Sequence, residues 1–233
     1  GAVTVAERLR DAGYDTRAFI ANPTLHAGNG FDQGFDHFET APYDVASLRR
    51  HAGDLDARVQ PRLDELEEPY FLYVHYLDPH DPYENPDLVD GRSEFFPEYQ
   101  GKIRGTDVHG LYLGKVALED PEQDLRQIRA LYDSEIRHVD GYVGRLLEAL
   151  AKKKGLEDTL GNTLVVLTSD HGEELYDHGG WKHGESVYEE QIRVPLVFRW
   201  DGHVPAGSRL RQTARLLDVM PTILEATGLD PAR

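Results

Sequence analysis

The sequence predicts an α/β protein built on a mixed, mostly parallel sheet sandwiched by helices. Four apolar runs of strand length, residues 16–21, 70–76, 163–168 and 194–200, are the first reason. They alternate with segments of helical periodicity, and strands that alternate with helices form a sheet covered on both faces. Two of the runs also lead straight into loops rich in histidine and aspartate, the place where such sheets bind ligands.

Residues 5–12 read as a short amphipathic helix with Ala6 and Leu9 on its apolar side and Gly13 as its stop. The buried strand at 16–21 is halted by Asn22-Pro23. From 24 to 40 the chain is rich in Gly, Asp and Phe, the composition of an irregular loop. Asp44 is placed to cap a helix running towards Leu66, which Pro61 ends, kinks or restarts. After the strand at 70–76, residues 84–119 show poor periodicity and scattered Gly, Pro and Asp, which predicts a long excursion over the surface. The strongest helix covers 122–154. Its stripe is Leu125, Ile128, Tyr132, Ile136, Val139, Val143, Leu147 and Leu150, with Lys152 to Lys154 complementing the helix dipole and Gly155 as the stop. Residues 188–192 read as a helix leading into the strand at 194–200, and 219–226 form a last helix between Asp218 and Gly228.

With 233 residues the chain can bury a sizeable core, and one domain spanning 1–233 is expected. Hydrophobic content of 39% and charged content of 29% fit a soluble globular protein rather than a disordered one. No apolar run approaches the roughly 20 residues of a membrane span, and no secretory signal opens the chain. The absence of cysteine excludes disulfides, thiolate zinc sites and cysteine nucleophiles within these residues. A formal charge of −17, from 25 Lys+Arg against 42 Asp+Glu, lacks the basic footprint that nucleic acid requires. The acidity reads first as solubility. An anionic substrate would need a local positive centre, and a bound metal cation supplies one.

Two loops carry the chemistry. The first runs from His75 to Tyr83 and contains Asp78-Pro79-His80-Asp81-Pro82; the second runs from Ser169 to Gly184. Together they hold five of the eleven histidines. Asp170-His171 stands where a strand turns into a loop, so both side chains can reach one ion, with Gly172 supplying flexibility. A carboxylate and an imidazole suit a divalent cation. The plain alternative is that Asp170 caps a following helix and His171 is merely polar. Pro79 and Pro82 bracket His80 and fix its direction, so it can bind an anionic oxygen or protonate a leaving group. A rigid surface turn is the alternative there. Lys182 and His183 lie between glycines, and both can be cationic and neutralise an anionic ester. A solvated loop explains them equally well.

Taken together, these segments resemble the sulfatase family of the alkaline phosphatase superfamily. The resemblance rests on an ordered series across nearly the whole chain: residues 6–19, Asn22-Pro23, Gly30 to Asp36, Asp78-Pro79-His80-Asp81-Pro82-Tyr83, Tyr132 to Ile136 with Asp140, Ser169 to Glu173, 188–196 and Asp218 to Thr222. It implies an alkaline phosphatase-like fold and a sulfuric ester hydrolase. It makes Asp170 and His171 metal ligands, and places His80, His183 and, second to it, Lys182 on the sulfate, with His80 or His183 assisting departure of the alcohol. The implied metal is Ca2+, with Mn2+ or Mg2+ as alternatives, and the implied substrate is a small-molecule or carbohydrate sulfate ester. The family's nucleophile is a formylglycine made from a Cys-x-Pro-x-Arg or Ser-x-Pro-x-Arg motif, which this chain lacks. Truncation at both ends, with the formylglycine and two further aspartate ligands in the missing N-terminal region, is the expectation. The rivals are a phosphodiesterase or phosphonate monoester hydrolase on the same fold, a non-catalytic metal- or anion-binding homologue, and a structural domain with no site.

Overall fold

Thr4 opens the first helix. Its Oγ accepts from the Glu7 amide at 3.1 Å while Glu7 Oε2 accepts from the Thr4 amide at 2.9 Å, which satisfies two otherwise orphaned donors. The computed structural model describes residues 2–40, 51–152 and 160–231. Helix α1 (Val5–Asp11) buries Ala6 and Leu9. Strand β1 (Asp15–Ile20) follows at the centre of a parallel three-stranded sheet, flanked by β2 (His37–Thr40) and β3 (Tyr70–His75). Strand β2 corrects the expectation of an irregular loop over 24–40. His37-Phe38-Glu39-Thr40 has too little alternation to signal a strand, and pairing with β1, from Arg17↔His37 to Ile20↔Thr40, makes it one.

Helix α2 (Ala52–Val59) runs into a 3-10 helix, Gln60–Glu65, with Pro61 in its first turn. The proline therefore opens a second helical segment, where its missing N–H costs nothing. Asp44 lies outside the described residues. Leu55, Val59, Leu63 and Leu66 pack with Phe19, Ala21, Leu146 and Leu150 into one apolar cluster.

The stretch 84–119 is not a surface excursion. Its Phe96, Tyr99, Ile103, Val108 and Leu111, the last two in helix α3 (Val108–Tyr112), join Tyr83, Ile128, Ala130, Leu131 and Leu175 in a second buried cluster. Irregular backbone hid this from periodicity, because the apolar side chains are spaced by turns rather than by a repeat. Tyr99 shows how the segment is locked: its hydroxyl donates to buried Asp124 and accepts from the Ile103 amide at 3.1 Å.

Helix α4 (Pro121–Ala151) serves both clusters, one with each half. Lys152 is its C-cap, and Lys153 to Gly155 lie outside the described residues. Its buried face differs from the apolar stripe. Ile136 is 44% exposed, whereas Gln127, Ser134, Glu135 and His138 are buried. Polar contacts explain the rotation. Ser134 Oγ lies 2.7 Å from Ser93 Oγ, His138 Nδ1 lies 2.6 Å from Asp87, and Glu135 accepts from the Asn85 amide at 2.8 Å and Asn85 Nδ2 at 3.0 Å.

Burial, the largest influence on Glu135, raises its carboxyl from 4.5 to about 7 despite those hydrogen bonds. An acid whose folded pKa is raised holds its proton longer in the folded state. Its contribution is full below 4.5 and is lost as pH rises through about 7. Thermal melts in chelator-treated buffer are expected to show stability falling across that window, by about 3 kcal/mol at most from this group. Glu135→Gln should shrink the fall, and an unchanged slope would refute the assignment.

Strand β4 (Val165–Thr168) pairs antiparallel with β7 (Leu196–Arg199), and a two-residue hairpin, β5 (Glu174–Leu175) with β6 (Trp181–Lys182), lies between them in sequence. Helix α5 (Glu189–Ile192) precedes β7, and α6 (Val219–Ala226) closes the order against α1, where Arg8 donates to the Asp230 carbonyl at 3.0 Å. Among the described residues no helix is long and apolar enough to cross a membrane.

Candidate active site

The loops that leave β3 and β4 meet. His75, the last residue of β3, is held below its ordinary pKa chiefly by burial, with Asp170 and His171 close enough to act on it in opposite directions. Asp170 Oδ1 accepts from the His171 amide at 3.0 Å, and its Oδ2 stands 3.7 Å from His171 Nε2. His171 Nδ1 lies 2.9 Å from the Gly172 carbonyl, which can only accept, so Nδ1 carries the proton and Nε2 keeps its lone pair in the neutral ring. One carboxylate oxygen and one imidazole lone pair thus face each other at the surface, a donor set that fits a divalent cation. No helix follows Asp170 for it to cap.

Gly172 is needed for closeness rather than for a left-handed turn. Its amide donates to the Gln191 carbonyl at 2.8 Å, and a Cβ there would sit 2.1 Å from the Glu190 carbonyl oxygen. Gly172→Ala is expected to push the Asp170-His171 turn off α5 and cost about 2 kcal/mol or more. A melting curve that matches the parent would show that the contact yields freely.

Buried Glu174 shapes the second loop. Its Oε1 accepts from the amides of His178 (3.2 Å) and Gly180 (2.8 Å), and its Oε2 accepts from Gln191 Nε2 at 3.0 Å. The hairpin so held sends the His183 ring to 3.9 Å from that of His171 and 5.6 Å from that of His80. His80 Nδ1 donates to the Asp81 carbonyl at 2.6 Å, which aims its Nε2 away from the backbone. Lys182 Nζ stands 2.9 Å from buried Asp81 Oδ1. All five residues singled out in the sequence, His80, Asp170, His171, Lys182 and His183, therefore come together.

Burial first, then His171 and Lys182, hold His183 below the ordinary histidine value, which favours its neutral form. His183 Nδ1 lies 3.0 Å from Glu173 Oε1, and burial raises that carboxyl to about 7. Both partners are thus driven towards their neutral forms.

Three neighbours were given no role from the sequence. Glu173 sits behind His183. His75 falls in both the strand at 70–76 and the first loop, with no role of its own expected from the sequence. His109 of α3 lies 3.3 Å from Lys182 Nζ and 4.0 Å from Asp81 Oδ2, in a segment without periodicity or motif. His178, in the same loop as His183, turns instead onto Tyr188, stacking at 3.7 Å between ring centroids.

The model of the family described as Sulfatase matches residues 2–229. The chain belongs to the sulfatase family. It is 31% identical over 190 residues to the "Multifunctional alkaline phosphatase superfamily protein PehA" of Trinickia caryophylli, covering 71% of this chain and 35% of that protein. To the choline-sulfatase of Rhizobium meliloti (strain 1021) it is 31% identical over 175 residues, covering 71% of this chain and 33% of the relative. The phosphonate monoester hydrolase of Agrobacterium radiobacter superposes with a TM-score of 0.68 at 21% identity, covering 96% of this chain and 58% of that one. The chain thus spans about a third of the length of the curated relatives it matches. The alkaline phosphatase-like α/β fold is shared, and members of the sulfatase family are hydrolases that generally depend on a metal.

Proposed function

We propose that this sulfatase-family chain forms the metal-binding and leaving-group side of a site that hydrolyses sulfate monoesters. The observation that supports the reading is the convergence of His80, His183 and His171 across two loops far apart in sequence. Asp170 and His171 would hold the divalent ion, Ca2+ by family resemblance with Mn2+ or Mg2+ as alternatives. Such an ion stabilises charge on the sulfate oxygens.

The remaining work falls to side chains of this chain. Lys182 presents a cation whose position Asp81 fixes at 2.9 Å. Neutral His183 binds a sulfate oxygen by donating a hydrogen bond, and Glu173 behind it sets the ring's orientation at 3.0 Å. His80, its Nδ1 proton tied to the Asp81 carbonyl, presents Nε2 to the bridging oxygen. As imidazolium it gives its Nε2 proton to the departing alkoxide while the sulfur–oxygen bond breaks. The family's formylglycine nucleophile has no counterpart among these residues, so the 233-residue chain by itself is expected to turn over no aryl sulfate. Measurable release of a chromogenic phenol by the purified chain would contradict this.

In the full-length protein, His80→Ala should reduce kcat/KM on the order of 10²-fold or more for alkyl sulfates and far less for activated aryl sulfates. Equal losses on both would remove the proton-donor role. The second reading is a phosphonate or phosphodiester hydrolase, favoured by the imidazole in the Asp170-His171 pair. Faster cleavage of a phosphonate monoester than of any sulfate ester by the full-length protein would establish it instead. The substrate is read as a small-molecule or carbohydrate ester.

A further inference from the structure

Beneath the loop that carries His80 lies a second group of charged side chains that ester hydrolysis does not use. His51 at the start of α2, Asp78 at the exit of β3 and Glu135 in the middle of α4 each offer one ligand atom, and these atoms all lie within 4.8 Å of one another. His51 Nδ1 is 3.8 Å from Asp78 Oδ1. The Asp78 side chain is only 3% exposed, and its Oδ2 is buried without a hydrogen-bond partner. Among the described residues no lysine or arginine forms an ion pair with Asp78 or Glu135. Two buried carboxylates that face one imidazole, with an oxygen left over, are costly to keep charged unless a cation joins them.

We propose that His51, Asp78 and Glu135 bind a first-row divalent cation such as Zn2+, at a structural site separate from the Asp170-His171 pair. Two carboxylates and one imidazole suit a borderline ion better than Ca2+ or Mg2+, which favour all-oxygen shells. With metal–ligand bonds of about 2.0–2.2 Å, tetrahedral donors stand about 3.4 Å apart, so the three must draw in by about an ångström. His51, at the start of a helix and the most exposed of the three side chains, has the freedom to close that gap.

The surroundings support a ligand role. Glu135 Oε1 is oriented by two donors from Asn85, the outer support that ligating carboxylates commonly have. The His138 ring packs edge-on against His51 at 6.0 Å and shields the group on the α4 side. An ion here would tie β3, α2 and α4 together two residues before His80. Because it binds only the folded chain, it would stabilise the fold.

The test uses the full chain carrying Asp170→Ala and His171→Ala, which removes the ligands proposed for the catalytic ion and reads no turnover, so its outcome is independent of the hydrolase reading. Calorimetric titration with Zn2+ should show one saturable equivalent and a raised Tm. Co2+ should give the visible absorption of a low-symmetry four- or five-coordinate site. Adding His51→Ala should weaken Zn2+ at least tenfold and abolish the Co2+ band, and Asp78→Asn should do the same, with circular dichroism confirming the fold of each. No saturable binding would overturn the proposal. So would binding that survives both substitutions, or that is lost only with His178→Ala, since Glu174, His178 and Glu190 also offer three ligand atoms within 4.8 Å of one another.

Discussion

Asp170→Ala in the full-length hydrolase is expected to lower kcat/KM by roughly 10³-fold, the equivalent of about 4 kcal/mol of lost charge stabilisation. The reasoning is geometric. Oδ2 of Asp170 faces the free lone pair of His171 at 3.7 Å, and the other carboxylate oxygen is occupied by the His171 amide. Removing the carboxylate deletes a proposed ligand without disturbing a core, because the side chain is 66% exposed. Stability should therefore stay near that of the parent while activity and bound metal fall together. His171→Ala should behave alike, and the double variant should be little worse than either single one, since the two act as a unit. Full activity in either single variant would show that the ion, if bound, is held elsewhere.

Lys182→Met is expected to reduce stability by about 3 kcal/mol, because it leaves the buried Asp81 carboxylate with only the more distant imidazoles of His80 at 3.5 Å and His109 at 4.0 Å. For a chain of this size that corresponds to a Tm lowered by about 10 °C. The pair stands at 2.9 Å with side chains 15% and 8% exposed, so solvent screens it only in part. Asp81→Asn combined with Lys182→Met should recover much of the loss, since no unpaired charge then remains. Additive losses in that double variant would mean that the two side chains act independently. Turnover by Lys182→Met should fall whether or not stability is restored, which separates the structural part of the pair from its role towards an anionic ester.

The sequence made the sheet and the meeting of its two loops legible because each depends on local signals: apolar runs, a bracketing pair of prolines, Asp-His at a strand end. Strand β2 was not legible, since four residues gain their extended form only from β1. The stretch 84–119 was misread because its apolar residues follow turns, so no repeat announces that Phe96 and Tyr99 are buried. Glu173 lies in the Ser169 to Glu173 segment, yet its place behind His183 was not legible, because the fold of the hairpin sets it. His109 reaches Lys182 only through packing between distant segments. The face of α4 was misjudged because hydropathy counts Ile136 above Glu135, whereas Asn85 rewards burying the carboxylate.

That stretch from 84 to 119 has a practical consequence for anyone reshaping the selectivity of this enzyme family by exchanging loops. Here the segment that brings His109 to 3.3 Å from Lys182 Nζ also packs its own aromatic rings into the buried cluster of Leu131 and Leu175. A transplanted replacement must arrive with a matching keel of bulky side chains, and a trimmed one would lay the buried face of α4 open to water. Altered selectivity and weakened folding would then come from the same cut.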